Sequence, residues 1–166
     1  MTIFFTADSH FGHYNILKYC NRPFSSIREH DSTLIDNWNS KVKSKDIVYH
    51  LGDFSMKRFL RNKILPKLNG KIHLIRGNHD RKLKSDEKFA SISEYAEIKI
   101  DKKTVVLFHY PIESWNRRIH GTIHLHGHSH GNLQNRIPRR LDVGVDNHDF
   151  FPISWPEVLV LLEEEN

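Results

Sequence analysis

Several short apolar segments of this chain stop at an aspartate, an asparagine or a histidine, and this pattern constrains the fold more than any other feature. The run at residues 3–6 is followed by Asp8, and the run at 46–51 is followed by Asp53. Runs rich in β-branched and aromatic residues are typical of buried strands. Ligand crevices in open α/β sheets lie beyond the carboxyl ends of the strands. Five segments should therefore deliver polar side chains to one place: Asp8, His10, Asp53, Asn78, His79, His109, His128 and His130.

Strand-like and helix-like segments alternate along the chain, which predicts an α/β fold. Ile27, Leu34 and Trp38 are spaced to share one helix face. Since the chain of 166 residues has no repeat and no linker, we expect a single domain over residues 1–166. The predicted strands are 3–6, 46–51, 71–75, 94–100, 104–108, 122–126 and 141–145, and the predicted helices are 26–42, 55–68 and 155–165.

Histidine is unusually frequent in this chain, because its 13 copies outnumber the 8 glycines and 6 prolines. A hydrophobic fraction of 38% and a charged fraction of 27% exclude disordered and fibrous classes. Cys20 is the only cysteine, which excludes an internal disulfide and a cysteine-based zinc cluster. No apolar run reaches the roughly 18 residues of a membrane span, and the N-terminus turns polar too early for a signal peptide. We therefore expect a cytoplasmic protein without a membrane partner.

The charge balance permits a phosphate-bearing partner without requiring one. Lysine and arginine number 25 against 20 acidic residues, which gives a net charge of +5 with histidine neutral. These basic residues occur in small groups with no long basic tail, so nucleic acid stays open as a partner.

The spacing of the strand-end residues suits a metal site. Asp8 and His10 are two residues apart, as are His128 and His130, and this spacing puts both side chains on one side of extended backbone. Carboxylate, imidazole and amide oxygen ligands suit manganese, iron, zinc, cobalt or nickel rather than copper(I). A glycine precedes three of the candidates where the chain must turn sharply: Gly52, Gly77 and Gly127.

Five motifs in this order make the chain resemble the calcineurin-like metallophosphoesterase superfamily, especially its small single-domain bacterial, archaeal and phage members. The resemblance extends from residue 6 to about residue 154 and implies a four-layer αββα sandwich of two mixed β-sheets flanked by helices. The chain departs from many relatives at Tyr110-Pro111, where they carry a glycine after the histidine. The motifs are Asp8-x-His10, Gly52-Asp53, Gly77-Asn78-His79-Asp80, His109 and Gly127-His128-x-His130.

The resemblance implies a centre of two divalent ions, with manganese favoured, and with Asp53 bridging them. Two such ions about 3.5–4 Å apart can share a bridging water, lower its pKa and clamp phosphate oxygens. One ion would take Asp8, His10, Asp53 and His130. The other would take Asp53, Asn78, His109 and His128.

Other residues receive roles around this centre. The resemblance implies that His79 protonates the leaving oxygen as a general acid, with Asp80 placed to orient or charge its imidazole. Arg22 and Arg76 are candidate phosphate contacts because guanidinium matches phosphate oxygens, although structural roles fit equally well. His13 either faces the crevice or caps a helix that begins near Asn15. We expect surface or loop positions for His30, His120 and His148.

The resulting hypothesis is a metal-dependent phosphoesterase. Its substrate would be a small phosphoester, for example one derived from a nucleotide. Diesters are favoured over monoesters because a general acid benefits an alkoxide leaving group. Two alternatives stay open: a catalytically inactive protein-binding scaffold of the same fold, and a small metal-dependent nuclease. The sequence does not indicate the oligomeric state.

Overall fold

Nine strands and four α-helices form the part of the chain described by the computed structural model, residues 1–80 and 88–164. The strands are β1 (Ile3–Thr6), β2 (Ile47–His50), β3 (Lys71–Ile75), β4 (Ser91–Ser93), β5 (Tyr95–Ile100), β6 (Lys103–Phe108), β7 (Ile123–His126), β8 (Arg140–Asp142) and β9 (Ile153–Ser154). The helices are α1 (Ile16–Tyr19), α2 (Ile27–Lys41), α3 (Arg58–Ile64) and α4 (Trp155–Glu164).

The strands form two mixed sheets, as predicted. The first sheet has the order β4-β3-β2-β1-β9, in which only β9 runs antiparallel to its neighbour. The second sheet has the order β5-β6-β7-β8, in which β5 is antiparallel to β6 and the others are parallel. Parallel strands bring their carboxyl ends to the same edge, so both sheets can contribute to one site.

The alternation of side chains along each strand divides the core into two layers. Phe4 and Val48 lie on the face of the first sheet that packs against Leu34 of α2. Phe5, one residue further along β1, lies on the opposite face and packs in a cluster with Leu107 of the second sheet. One cluster therefore joins helices to the first sheet, and the other joins the two sheets.

Helices cover these layers unevenly. α2 and α3 contribute to the cluster outside the first sheet, whereas α4 contributes Trp155 and Val158 to the cluster between the sheets. On the second sheet, the His124 ring lies 5.3 Å from the Trp115 ring of the loop that precedes β7. The α/β fold with two mixed sheets and accompanying helices is confirmed.

The predicted elements differ from the structure mainly at their ends. Ser26 caps α2, since its Oγ accepts a hydrogen bond from the backbone amide of Glu29 at 3.2 Å. Helix α3 ends at Ile64 and continues as a 3₁₀ turn that contains Pro66, because proline has no amide hydrogen to continue the α-helix. The strand predicted at 141–145 is shorter and is followed by a 3₁₀ turn at Val145–Asn147. Strands β4 and β9 were not predicted, and residue 165 of the last predicted helix lies outside the described residues.

Across residues 1–80 and 88–164, the helices are all too short or too polar to cross a membrane.

Candidate metal centre

The ends of five strands meet at one cleft of about 380 Å³. Asp8 follows β1, Asp53 follows β2 and Asn78 follows β3, while His109 follows β6 and His128 follows β7. Most of the predicted ligands line the cleft, and Asp8 and His109 are buried next to it. The side chains lining the cleft are His10, His13, Ile16, Tyr19, Cys20, Asp53, Asn78, His79, His128, Ser129, His130 and Asn132.

The backbone at the cleft adopts an uncommon conformation. Five of the twelve non-glycine residues with positive φ in the described part of the chain are predicted ligands: Asp8 (58°), His10 (49°), Asp53 (57°), His128 (69°) and His130 (48°). Each such conformation costs about 1–3 kcal/mol and persists only where the surroundings enforce it. Here the loops brace one another, since the amides of Asp8 and His10 donate to the carbonyls of Gly52 and Asp53, both at 2.9 Å.

One group of potential ligands consists of Asp8, His10 and His130, whose ligand atoms all lie within 4.8 Å of one another. Asp8 Oδ1 and His10 Nε2 are buried, and neither has a hydrogen-bond partner within the described residues. A buried polar atom without a partner is costly, and a bound cation would satisfy both atoms. A Cβ at Gly127 would lie 2.6 Å from Asp8 Oδ2, so this position requires glycine.

A second group consists of Asp53, His109 and His128, again within 4.8 Å. His109 Nδ1 lies 2.7 Å from the carbonyl oxygen of Leu51, and burial lowers the pKa of His109, which favours the neutral ring. The proton that a neutral ring donates to this carbonyl is on Nδ1, so Nε2 carries a lone pair. That lone pair faces Asn78 Oδ1, also an acceptor, at 3.1 Å. Two acceptors facing each other favour a cation between them.

The Asp53 carboxylate belongs to the second group and also lies next to His10 of the first group. Its Oδ2 is 3.5 Å from His10 Nε2 and 3.6 Å from His109 Nε2. Its Oδ1 accepts a hydrogen bond from the backbone amide of His79 at 2.9 Å. Together the two groups offer carboxylate, imidazole and amide oxygen donors. This donor set fits divalent ions of the first transition row.

Burial and charge set the pKa values of the first group. Burial raises the pKa of Asp8 well above its usual range and lowers the pKa of His10 well below it. Burial alone would also lower the pKa of His130, but hydrogen bonds to Asp146 and Cys20 and the charge of Asp8 raise it to about 10. A metal ion that binds His130 must therefore displace a proton.

Arg22 does not contact the cleft as a phosphate ligand, which corrects one of the two arginine predictions. Its Nε and one terminal nitrogen each donate to an Asp146 oxygen at 2.7 Å. The remaining donors reach the carbonyl oxygens of Asp8 and Ser9 and the Nε2 of His30. With every nitrogen of its guanidinium engaged inside the protein, Arg22 fixes the loop after β1 instead.

Asp146 links Arg22 to the candidate metal centre and was missed by the sequence analysis. Its Oδ2 accepts a hydrogen bond from His130 Nδ1 at 2.7 Å, and Arg22 holds the same carboxylate from the other side. A carboxylate behind a histidine ligand fixes the ring orientation and leaves the other nitrogen free for a metal. The 3₁₀ turn after β8 presents this residue, so the rule of a polar residue beyond a strand end could have found it.

The structure also corrects the role given to Asp80. Its carboxylate is fully buried and accepts backbone hydrogen bonds from Asp53 at 2.6 Å, Phe54 at 3.2 Å and Gly77 at 3.1 Å. Burial raises the pKa of Asp80 to about 7. Asp80 thus joins the loops after β2 and β3 and faces backbone amides rather than the His79 ring.

His79 and His13 both face the cleft. His79 Nε2 lies 3.8 Å from Asp53 Oδ2, and 33% of the His79 side chain is exposed. The His13 ring lies 5.4 Å from the His10 ring and 5.8 Å from the His79 ring. No side-chain hydrogen bond caps the start of α1 at Asn15, so His13 does not serve as a helix cap. His13 lines the crevice instead, which was the other position considered.

Three further residues with predicted roles, Arg76, His30 and His120, do not line the cleft. Arg76 pairs with the exposed Glu94 at 2.9 Å and does not line the cleft, so it is not placed as a phosphate contact. The expectation that His30 lies at the surface is wrong, because His30 is fully buried between Arg22 and Asp31. His120 is exposed, as expected.

Comparisons with known proteins agree with this architecture. The chain is 40% identical to an uncharacterized protein of Methanocaldococcus jannaschii (MJ1445), over 98% of this chain and 92% of that protein. It is 30% identical to the Gene 66 protein of Mycobacterium phage L5, over 86% of this chain and 85% of that protein. A crystal structure of a protein of unknown function from Aquifex aeolicus (AQ665) superimposes with a TM-score of 0.79 at 28% identity, and covers 96% of this chain and 98% of that one.

A family comparison gives the broader relationship. The profile of the calcineurin-like phosphoesterase superfamily domain matches residues 1–143, which include every predicted ligand from Asp8 to His130. The chain therefore belongs to the calcineurin-like phosphoesterase superfamily, a family of metal-dependent phosphoesterases.

Proposed function

We propose that this protein hydrolyses phosphodiesters at a centre of two divalent metal ions. The observation that carries the proposal is the position of Asp53 between the two ligand groups, with Oδ2 at 3.5 Å from His10 Nε2 and 3.6 Å from His109 Nε2. A carboxylate in this position can serve both groups, as a bridging ligand must. One ion would be held by Asp8, His10, Asp53 and His130, and the other by Asp53, Asn78, His109 and His128.

The metal ions would supply an activated water and positive charge for the phosphate transition state. Manganese is our preferred ion because oxygen ligands are mixed with imidazoles in both sets. Iron, zinc, cobalt and nickel are compatible with the same ligands.

His79 supplies the proton in this proposal. Its Nε2 is on the cleft side of the centre, 3.8 Å from Asp53 Oδ2, and its ring is accessible to a substrate. From this position the imidazole can protonate the oxygen of a leaving alcohol. Because the His79 amide donates to Asp53 Oδ1, the proton donor and the bridging carboxylate are held in one fixed arrangement. An alcohol leaving group needs this proton, as in a diester of two alcohols, which is the substrate class that we favour.

The first test is turnover by the metal-loaded protein. Protein loaded with manganese should hydrolyse bis(4-nitrophenyl) phosphate, lose the activity when a chelator removes the metal, and regain it when manganese is returned. Release of 4-nitrophenol measures the rate. Protein that binds two ions per chain but hydrolyses no phosphoester with manganese, zinc, cobalt, nickel or iron would contradict the proposal and favour a protein-binding scaffold.

Asp146→Asn should weaken one metal site selectively. The substitution removes the charge that holds the His130 ring, and loss of such a carboxylate typically costs 10–100-fold in metal affinity. We expect a loss of about that size for the ion bound by Asp8, His10 and His130, with the other ion unaffected. Calorimetric titration with manganese resolves the two binding steps.

The matched control for this experiment is Asp149→Asn, which changes an exposed aspartate of the same segment. It should leave both binding steps unchanged. Equal weakening of both ions by Asp146→Asn would show that Asp146 supports the fold rather than His130.

A further inference from the structure

An exposed tyrosine borders the cleft beside the proposed proton donor. Tyr19 lines the cleft, and 72% of its surface is exposed, although it is a large aromatic residue. Its hydroxyl makes no hydrogen bond to any part of the chain that the structure describes. Burial of an aromatic ring is favourable, so a ring left open at the mouth of a binding cleft is available to a ligand.

Tyr19 belongs to a continuous series of ring contacts that leads through His13 to His79, and both of these histidines also contact the His10 ring. The Tyr19 ring contacts the His13 ring edge-on at 6.3 Å, and the His13 ring lies 5.8 Å from the His79 ring. We call Tyr19, His13 and His79 the aromatic row. Tyr19 forms its outer end, because its only ring contact in residues 1–80 and 88–164 is with His13.

The direction of the aromatic row determines which part of a substrate can reach Tyr19. In the proposed function His79 donates its proton to the leaving oxygen, so the leaving alcohol begins at His79. His13 and Tyr19 continue the series of ring contacts outward from His79 to the mouth of the cleft. The group that leaves, rather than the group that stays on phosphorus, therefore lies along the aromatic row.

We propose that the leaving group is a nucleoside whose base stacks on Tyr19. This inference rests on the proposed function and adds the substrate class to it. A nucleoside has the required parts in the required order, with an alcohol oxygen for His79, a sugar beside His13 and a planar ring for Tyr19. Ser129 and Asn132 also line the cleft and offer hydrogen-bonding groups to a polar base.

The reaction can be written for a simple probe, the methyl ester of adenosine 5′-phosphate. Water adds its oxygen to phosphorus, the bond between phosphorus and O5′ breaks with its electron pair on O5′, and His79 gives O5′ a proton. The proton lost by water restores His79. The products are adenosine and methyl phosphate, whereas the opposite orientation would give adenosine 5′-phosphate and methanol.

The product ratio of this probe tests the inference directly. The unmodified protein should release mainly adenosine and methyl phosphate, and Tyr19→Ala should shift the products towards adenosine 5′-phosphate and methanol. Tyr19→Phe should preserve the original ratio, because stacking needs the ring and not the hydroxyl. Tyr14→Ala is the matched control, since Tyr14 is 56% exposed but does not line the cleft.

A binding measurement separates this inference from the proposed function. Stacking of a base on an aromatic side chain contributes about 1–3 kcal/mol, which corresponds to about 5- to 150-fold in affinity. Calorimetric titration with adenosine should show a loss of this size in Tyr19→Ala and none in Tyr19→Phe or Tyr14→Ala. The titration requires no turnover.

Each outcome decides one of the two proposals. Absence of hydrolysis in all variants contradicts the proposed function, while the adenosine titration still decides whether Tyr19 binds a base. Adenosine that does not bind the unmodified protein, or that binds Tyr19→Ala equally well, overturns the inference. Predominant release of methanol by the unmodified protein also overturns it, because the base would then lie on the other side of phosphorus.

Discussion

Asp53→Ala should abolish binding of both metal ions together and reduce hydrolysis to the uncatalysed background. The side chain lies between the two groups, 3.5 Å from His10 Nε2 and 3.6 Å from His109 Nε2. Its removal deprives both sites of a charged ligand, and we expect each affinity to fall by more than the roughly 10–100-fold that loss of an outer carboxylate costs. Metal content per chain after gel filtration, together with calorimetric titration, measures the effect.

The control has to separate loss of a ligand from loss of structure. Asp53 Oδ1 also accepts the His79 amide, so Asp53→Asn is the companion variant that retains an oxygen acceptor at nearly the same volume. It should keep the fold, as judged by its unfolding temperature, and still bind metal poorly. Asp36→Ala removes an exposed aspartate from α2 and should change nothing. Two tightly bound ions in Asp53→Ala would contradict the bridging position.

His79→Ala should lower turnover by about 10²–10⁴-fold on a diester with an alcohol leaving group, the contribution typical of a general acid. On bis(4-nitrophenyl) phosphate the loss should be much smaller, because 4-nitrophenolate leaves readily without a proton. Metal content should stay at the unmodified level, since His79 is not assigned to either ion. Rates on the two substrates, measured at equal metal occupancy, provide the comparison.

His120→Ala is the matched control, because His120 is an exposed histidine far along the chain. It should leave both rates unchanged. An equal loss on both substrates in His79→Ala would assign the His79 ring to positioning of Asp53 instead of proton donation, since its Nε2 lies 3.8 Å from Asp53 Oδ2. Unchanged turnover on the alcohol substrate would remove His79 from the chemistry.

The positions of the predicted ligands could be inferred because each depends on a local signal. An apolar run that stops at a polar residue, in three cases after a glycine, marks the end of a strand, and ligand crevices lie beyond such ends. Asp53 and His109 could therefore be expected at one site although they are 56 positions apart in the sequence. β4 and β9 escaped the same reasoning because three and two residues are too few to show a periodicity.

The errors concern side chains whose partners are set by the tertiary structure. Asp80 is adjacent to His79 in sequence, which suggested a contact, but the Asp80 amide donates to the Gly77 carbonyl at 3.1 Å and closes a turn. Neighbours in a tight turn point in different directions, and the Asp80 carboxylate returns towards Asp53. Likewise, nothing near Arg22 in the sequence indicates that its partner is Asp146, 124 residues away.

Both ligand groups combine residues from the two sheets, and this has a consequence for the stability of the fold. Asp8 and Asp53 follow strands of the first sheet, whereas His109, His128 and His130 follow strands of the second. Any cation held by either group ties one sheet to the other at the end where their strands stop. Separation of the sheets would then require release of the cation, so a bound ion would couple the unfolding of the two sheets into one cooperative transition.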